Sequence, residues 1–156
     1  MDNTLYDCLI TSLPGMDKSK PAPGPSFLKG YLQTKGFKIK VIDGHMYDTL
    51  DNIEREIKKY DFRWLGISVF SYMQKDDGLE LGKRFENSFY GGSGVDIEWP
   101  TKYFITGEGE YALVEFLNGN FDYPGINGKL PRQIADIESL PPPDYSDVIQ
   151  QHNYRK

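Results

Sequence analysis

The most constraining feature of this sequence is a regular alternation between apolar runs typical of strands and apolar stripes at helical spacing. Leu5–Leu13 is the first apolar run, and a helical stripe then extends from Phe27 to Leu32 and ends at Gly36. Trp64–Phe70 is almost continuously apolar, which is typical of a strand covered on both faces. The alternation predicts an α/β fold in which a five-stranded parallel sheet is covered by helices on both faces, a three-layer sandwich.

The rest of the chain continues this pattern as far as Asn118. The predicted elements are a strand over 37–42, a helix capped by Asp48 or Thr49 with its buried face at Leu50, Ile53, Ile57 and Tyr60, a helix over 76–85, a strand at Phe89–Tyr90, a fifth strand at Tyr103–Ile105, and a helix that buries Ala112, Leu113, Phe116 and Leu117. After Asn118 we expect a turn at Gly125–Lys129, a short strand at Gln133–Ile137, a stiff Pro141–Pro143 segment and a polar linker at Tyr145–Lys156. We therefore divide the chain into an α/β domain at 1–120 and an extension with a linker at 121–156.

Charge and composition exclude several classes of function. The 156 residues include 18 Lys and Arg against 23 Asp and Glu, a net charge of −5, which argues against nucleic-acid binding. No apolar run approaches the roughly 20 residues that cross a bilayer, and Asp2 and Asp7 interrupt the region where a signal peptide is apolar. Cys8 is the single cysteine, which rules out an internal disulfide or a multi-cysteine metal site. We expect a soluble, cytoplasmic protein that binds neither nucleic acid nor membrane.

The segments that follow the predicted strands are the candidates for ligand binding. In an open parallel sheet, ligands bind beyond the carboxyl ends of the strands. The segments are Leu13–Gly15, Asp43–His45, Ser68–Tyr72, Gly91–Gly94 and Gly107–Glu110. Glycine after a parallel strand is often only the tight turn into a helix. Because four of the five segments contain glycine, the set as a whole favours a large ligand that approaches exposed backbone.

Other ligand classes fit the residues less well. No Gly-x-Gly-x-x-Gly follows the first strand and no Gly-Lys-Ser/Thr occurs, so Asp43 alone is a weak sign of a ribose site. Glu108 and Glu110 are explained by the favourable interaction of acids with a helix N-terminus. His45 in a loop is more often merely solvated, and Cys8 within a strand is most simply a core residue.

Taken together, the strand-end segments resemble the cobalamin-binding domain that precedes the catalytic barrel in cobalamin-dependent radical S-adenosylmethionine enzymes. The resemblance covers nearly the whole chain and rests on the order and spacing of several pieces. These are Gly24–Leu32, Gly36–Asp43, Leu65–Val69, Gly91–Gly92, Ile105–Glu110 and the exit segment Ile134–Tyr145.

The resemblance implies a flavodoxin-like, Rossmann-like fold with strand order 2-1-3-4-5 that holds a corrinoid over the strand ends. In such domains the loops after the first, third, fourth and fifth strands contact the corrin and its nucleotide tail. The corresponding residues, predicted here to bind the cofactor, are Leu13, Pro14, Gly15, Ser68, Val69, Phe70, Ser71, Tyr72, Gly91, Gly92, Ser93, Gly107, Glu108, Gly109 and Glu110. No residue is assigned as catalytic or as a metal ligand.

Two departures from the pattern of cobalamin domains affect this reading. Met16–Lys20 contains no histidine where some cobalamin domains ligate cobalt, so we expect cobalamin without a protein histidine below it, with Tyr72, Met73 or Gln74 facing the cobalt instead. The stretch from Gly91 to Gly107 is shorter than in this family, as though the helix between the fourth and fifth strands were missing. This shortening affects the part of the domain that would form the pocket for the nucleotide tail.

One cysteine cannot supply the Cys-x-x-x-Cys-x-x-Cys motif of the family's barrel, so this chain alone is not expected to be catalytic. S-adenosylmethionine and the 4Fe–4S cluster would belong to a radical S-adenosylmethionine barrel, in cis or in trans, and the chain would be a fragment or a stand-alone module. The predicted function is corrinoid binding in support of methyl transfer or related radical chemistry. The alternatives are a flavodoxin-like partner-docking module that has lost the corrinoid, or a small nucleotide- or flavin-binding protein.

Overall fold

The structure, a computed structural model, describes residues 3–15, 20–131 and 140–151. Parallel strands alternate with helices along the described chain. The strands are β1 (Leu5–Thr11), β2 (Ile39–Ile42), β3 (Asp61–Ser68) and β4 (Ser88–Gly91), and the helices are α1 (Pro23–Thr34), α2 (Leu50–Ile57), α3 (Lys75–Lys83), α4 (Gly109–Leu117) and α5 (Ser146–Gln151). Among these helices, none combines the length and the apolar character that crossing a bilayer requires.

The sheet has the order β2-β1-β3-β4, and every pairing is parallel. Cys8 in β1 lies between Ile39 of β2 and Trp64 of β3, so β1 and β3 are the central strands. The parallel α/β architecture and the order of these four strands are confirmed. Since β2 and β3 lie on opposite sides of β1, the strand order reverses at the carboxyl end of β1 and β3, where open α/β sheets bind ligands.

The prediction of a fifth strand at Tyr103–Ile105 is wrong. Phe104 forms only an isolated parallel bridge with Tyr90, and Ile105 forms an isolated antiparallel bridge with Ile126. The chain then leaves the sheet, because Thr106 N–H donates to the Gly125 carbonyl and Gly107 has a positive φ of 74°. The connection from β4 consists of turns rather than a helix. Two bridging residues lie where the strand was expected, and they are too few to continue the ladder.

Alternate residues of each strand enter two apolar cores, one on each face of the sheet. Leu9, Leu65 and Tyr90 pack under α2 and α3. On the other face, strand residues such as Ile10 and Phe89 pack under α1 and α4. This period of two is the one expected for strands buried on both faces. It confirms helices on both sides of the sheet, the three-layer arrangement of a flavodoxin-like fold.

Two helix starts show how local sequence sets the elements. Thr49 caps α2, because its side-chain oxygen accepts the Asn52 N–H at 3.2 Å. This was one of the two predicted caps. Helix α1 begins at Pro23, one turn before the predicted start at Phe27. Proline is favoured in a first helical turn because its fixed φ suits the helix. It lacks an N–H, but N–H groups in the first turn have no hydrogen-bond partner within the helix, so nothing is lost.

The end of the described chain packs back onto the domain through α5. Asp147 of α5 accepts the Val41 N–H of the edge strand β2 at 2.8 Å and pairs with Lys29 of α1 at 2.8 Å. Lys40 also reaches Asp147, at 3.2 Å. The hydrophobic pattern of the sequence does not predict this helix, because the helix is attached by ion pairs and by one buried apolar residue, Val148. The short strand predicted at Gln133–Ile137 lies outside the described residues.

Candidate functional site

A cavity of about 300 Å³ lies at the carboxyl ends of the strands, between the sheet and the first turns of α1 and α4. Its walls are mostly apolar. The residues around it are Ile10, Gly24, Phe27, Leu28, Gly66, Ile67, Ser68, Phe89, Gly91, Gly92, Ile105, Gly107, Glu108, Gly109, Glu110 and Leu113. Concave apolar sites with a few polar groups are typical of small-molecule binding, and this position is the one at which open α/β sheets place ligands.

Glycines at which a side chain would meet no crowding atoms keep this space open. A Cβ on Gly91 would meet nothing nearer than the Ile105 carbonyl oxygen at 3.8 Å, and one on Gly24 only the Ser68 hydroxyl at 3.9 Å. On Gly109 the nearest atom would be a methyl carbon of Leu28 at 3.5 Å. A Cβ at each of these three positions would therefore fit beside the cavity without a collision. The cavity exists because three different elements present bare backbone to the same space.

Two further glycines are required by close packing around the cavity. An added Cβ on Gly66 would lie 2.8 Å from the ring of Phe89, so this ring packs directly on the β3 backbone. Gly92 has a φ of 110°, and its Cβ would meet the Val69 carbonyl oxygen at 2.4 Å. Gly92 thus makes the turn out of β4 possible, and that turn fixes the rim of the cavity.

The structure brings seven of the fifteen predicted site residues together around the cavity. They are Ser68, Gly91, Gly92, Gly107, Glu108, Gly109 and Glu110. Leu13 and Val69 do not line it, because both are fully buried in the core on the opposite face of the sheet. The other six, Pro14, Gly15, Phe70, Ser71, Tyr72 and Ser93, lie in the loops that follow β1, β3 and β4.

The loop after β3 is held in place by side-chain hydrogen bonds. Gln74 accepts the Phe70 N–H at 3.0 Å and donates to the Pro14 carbonyl at 3.1 Å, which ties this loop to the loop after β1. Ser93 donates to the Phe70 carbonyl, so both backbone groups of Phe70 are satisfied by side chains. The Ser71 hydroxyl accepts the N–H of Met73 at 3.2 Å.

These hydrogen bonds hold the loop with large side chains turned outward. Phe70 is 64% exposed, Tyr72 73% and Met73 91%. The Gln74 amide is engaged at both its oxygen and its nitrogen, whereas Tyr72 and Met73 extend into the open space at this end of the sheet. Of the three residues proposed to face a cobalt ion, Tyr72 and Met73 are the accessible ones.

The charged groups in the cavity wall are both acids. Glu108 is the N-cap residue of α4 and Glu110 lies in its first turn. Burial raises the pKa of the Glu110 carboxyl above its ordinary value, and the charge of Glu108 adds to this, although a hydrogen bond from its own backbone N–H opposes it. The positive end of α4 favours carboxylates here, which lowers the cost of placing them beside an apolar space.

Other polar candidates from the sequence have structural explanations. The Asp43 carboxylate is buried, and one of its oxygens accepts the Ser12 hydroxyl at 3.2 Å and the Ala22 N–H at 3.4 Å, which links β1, β2 and the start of α1. Cys8 is a fully buried core residue, as expected, and burial raises the pKa of its thiol. The His45 ring lies against Gly15, since a Cβ added there would be 3.0 Å from it.

Sequence reasoning missed nine residues of the cavity wall. They are Ile10, Gly24, Phe27, Leu28, Gly66, Ile67, Phe89, Ile105 and Leu113. Most are apolar side chains, which nothing in a single sequence separates from ordinary core residues. Gly66 did carry a signal, because an isolated glycine inside an apolar strand indicates close backbone approach. The strand-end rule directs attention to loops, whereas much of this cavity extends down the face of the sheet.

Comparison with solved structures identifies proteins of the same fold. OxsB, a cobalamin-dependent S-adenosylmethionine radical enzyme with aqua-cobalamin bound, matches with a TM-score of 0.67 and 18% identity, over 91% of this chain and 24% of that chain. The radical S-adenosylmethionine methyltransferase TsrM from Kitasatospora setae, with cobalamin and a 4Fe–4S cluster bound, matches with a TM-score of 0.61 and 15% identity, over 97% of this chain and 35% of that chain.

No protein-family model matches the sequence, and no curated protein matches it. The likeness to OxsB and TsrM is therefore a likeness of structure at low sequence identity. The chain spans between a quarter and about a third of the length of these enzymes. It shares its α/β fold with a segment of cobalamin-dependent radical S-adenosylmethionine enzymes.

Proposed function

We propose that this chain is a cobalamin-binding module of a radical S-adenosylmethionine enzyme. The observation that carries the proposal is the glycine-walled cavity at the carboxyl ends of β1, β3 and β4, in a fold shared with enzymes solved with cobalamin bound. When bound, the cofactor would supply a cobalt centre able to accept and donate a methyl group. The residues of this chain would hold and orient it.

The cavity fits one part of the cofactor better than the whole. A volume of about 300 Å³ is at the small end of the range for ligand sites and suits a flat bicyclic ring rather than a corrin macrocycle. The walls formed by Phe89 and Leu113 are apolar, and Gly91 and Gly109 allow the backbone to approach a ring closely. We therefore place the nucleotide base of cobalamin in the cavity. The macrocycle would lie outside it, over the strand ends.

The loops around the cavity mouth are suited to the rim of a corrin. Pro14–Gly15, Phe70–Tyr72 and Ser93 lie in loops at this end of the sheet, and a corrin rim carries amide groups that backbone and small side chains can meet. With the base in the cavity, no nitrogen of the cofactor would remain below the cobalt. Since 16–20 contains no histidine, the lower face would be without a protein nitrogen from that loop, and Tyr72 and Met73 are the side chains proposed to approach it.

The chemistry of the assembled enzyme would require a partner. This chain has one cysteine, which is fully buried, so the S-adenosylmethionine and 4Fe–4S cluster would be held by a radical S-adenosylmethionine barrel, in cis or in trans. Residues 1–120 would form the cofactor domain and 121–156 the extension toward that barrel. Methyl transfer or a related radical reaction is the proposed chemistry.

Reconstitution with hydroxocobalamin tests this proposal. The purified chain is incubated with excess hydroxocobalamin and desalted, and the corrinoid that remains bound is measured from its visible absorbance. We expect about one corrinoid per chain, and we expect Gly109→Trp, which would fill the cavity, to retain almost none. Retention of no corrinoid by the native chain would refute the proposal. A yellow chromophore that copurifies would instead support a flavin-binding protein.

A second candidate function, partner docking without a cofactor, is favoured by the outward side chains of Phe70, Tyr72 and Met73. Three large apolar side chains on a hydrogen-bonded loop form a surface of the kind that other proteins contact. If docking alone is the function, Gly109→Trp should leave association with a barrel partner intact, while Met73→Ser should weaken it. If association requires the corrinoid, Gly109→Trp should abolish it.

A further inference from the structure

The polar side chains in the cavity wall mostly accept hydrogen bonds from a ligand rather than donate them. Apart from the Ser68 hydroxyl, the polar side chains that line it are the carboxylates of Glu108 and Glu110. No Lys, Arg or His lines the wall in the described part of the chain. A carboxylate accepts hydrogen bonds and, when ionised, cannot donate them. The wall is therefore matched to a ligand group that carries N–H or O–H donors.

Glu110 is the more informative of the two acids. It lies in the first turn of α4, between Gly109, which opens the cavity, and the buried face that carries Leu113. In the described residues it forms no ion pair with a lysine or arginine, and desolvation is the largest influence on the pKa of its carboxyl. The backbone N–H of Glu110 donates one hydrogen bond to this carboxylate, which has two oxygens and about four acceptor sites and so can accept further donors. A ligand in the cavity is the natural source of a further donor.

We propose that Glu110 makes this site select corrinoids whose lower base carries an N–H donor, such as adenine, over those with dimethylbenzimidazole. The inference rests on the proposed function, because it requires the base to enter the cavity. Adenine carries an exocyclic amino group that can donate to a carboxylate. Dimethylbenzimidazole, joined to its ribose through nitrogen, has no N–H left to donate to the Glu110 carboxylate.

The test compares three corrinoids on the full chain by absorbance or calorimetric titration. They are adeninylcobamide, cobalamin with dimethylbenzimidazole, and cobinamide, which has no base. A hydrogen bond to a charged acceptor corresponds to a preference of about tenfold or more, so adeninylcobamide should bind at least about tenfold more tightly than cobalamin. Cobinamide should bind more weakly than either, because it leaves the cavity unfilled.

Two substitutions of the same residue separate hydrogen bonding from general disruption of the site. Glu110→Leu should abolish the preference, because adeninylcobamide loses its hydrogen-bond acceptor and binds more weakly. Glu110→Gln keeps an acceptor oxygen without the charge and should retain a smaller preference. Glu115→Gln, on the same helix but outside the cavity wall, should behave like the native chain. Thermal unfolding of each variant shows whether it is folded.

The outcomes distinguish this inference from the proposed function. Equal affinities for adeninylcobamide and cobalamin, or a preference that Glu110→Leu leaves intact, would overturn the role of Glu110 while corrinoid binding stands. Cobinamide binding as tightly as both would show that the base stays outside the cavity, which overturns the inference and the placement of the base while corrinoid binding stands. Failure of all three corrinoids to bind would refute the proposed function, and the inference with it.

Discussion

Replacing Gly91 with valine is expected to weaken cofactor binding without weakening the fold. Gly91 is the last residue of β4, and a Cβ there has no protein atom nearer than 3.8 Å. Glycine in a strand costs about 0.5–1 kcal/mol relative to alanine, so a β-branched residue should leave the free energy of unfolding unchanged or slightly raised. A gain of this size corresponds to a rise in Tm of about 2–4 °C at most.

The valine side chain at position 91 should also lower the affinity for cobalamin strongly. The isopropyl group would project into a cavity of about 300 Å³ in which the base is proposed to lie. Forcing extra methyl groups into a filled space costs about 1–3 kcal/mol, which raises the Kd by about five- to more than a hundredfold. Absorbance titration with hydroxocobalamin gives the Kd, and thermal unfolding without ligand gives Tm.

Ser88→Val is the matched control for Gly91→Val, because it introduces the same side chain into the same strand. Ser88 shares its face of the sheet with Tyr90, which packs in the core opposite the cavity, and its hydroxyl donates to the Gly82 carbonyl at 3.1 Å. The control should lose about 1 kcal/mol of stability and keep its affinity for cobalamin. Native-like affinity in Gly91→Val would refute the placement of the base in the cavity.

Three further predictions test other parts of the structure. Gly92→Ala should lose about 1–3 kcal/mol of stability by urea denaturation, because its φ is 110° and the new Cβ would lie 2.4 Å from the Val69 carbonyl oxygen; stability equal to the native chain would contradict this turn. Lys29→Met should cost about 1.5–3 kcal/mol, or roughly 5–10 °C in Tm, because it removes the partner 2.8 Å from Asp147 and leaves Lys40, at 3.2 Å, to pair with that carboxylate; an unchanged Tm would show that α5 does not pack there. Partial burial acts to raise the pKa of Asp144, but hydrogen bonds from its neighbours and the charge of Lys29 lower it to about 2, so its stabilising contribution is complete above the usual value of 3.8 and is lost as the pH falls toward 2. Hydrogen-exchange protection factors in α5 should fall over that range, and Asp144→Asn should remove this pH dependence.

The sequence predicts those parts of the fold that local patterns determine. Trp64–Phe70 is apolar enough to identify a central strand, and β3 is central. Thr49 is a recognisable cap, and the glycines after β4 and before α4 indicate backbone that a ligand can approach. Each of these features depends on residues that are close together in the chain, so a single sequence is enough to predict it.

Features that depend on distant partners are not predictable in this way. Two isolated bridges replace the predicted fifth strand, because Ile105 pairs with Ile126, which lies in a turn about twenty residues later. Helix α5 has a single buried apolar side chain, Val148, and its attachment by Asp147 depends on Lys29 in α1. The cavity also depends on distant residues, because the glycines around it belong to four separate segments of the chain. Only the folded structure shows that these segments lie around one space.

The most direct test of the central claim is the electron paramagnetic resonance spectrum of cob(II)alamin bound to this chain. In free cob(II)alamin at neutral pH, the nitrogen of the base lies below cobalt and splits the cobalt lines into triplets. If the base occupies the cavity and no protein nitrogen replaces it, bound cob(II)alamin should show cobalt lines without nitrogen splitting. Persistent triplets from the bound cofactor would contradict the account, because a nitrogen would then remain below the cobalt.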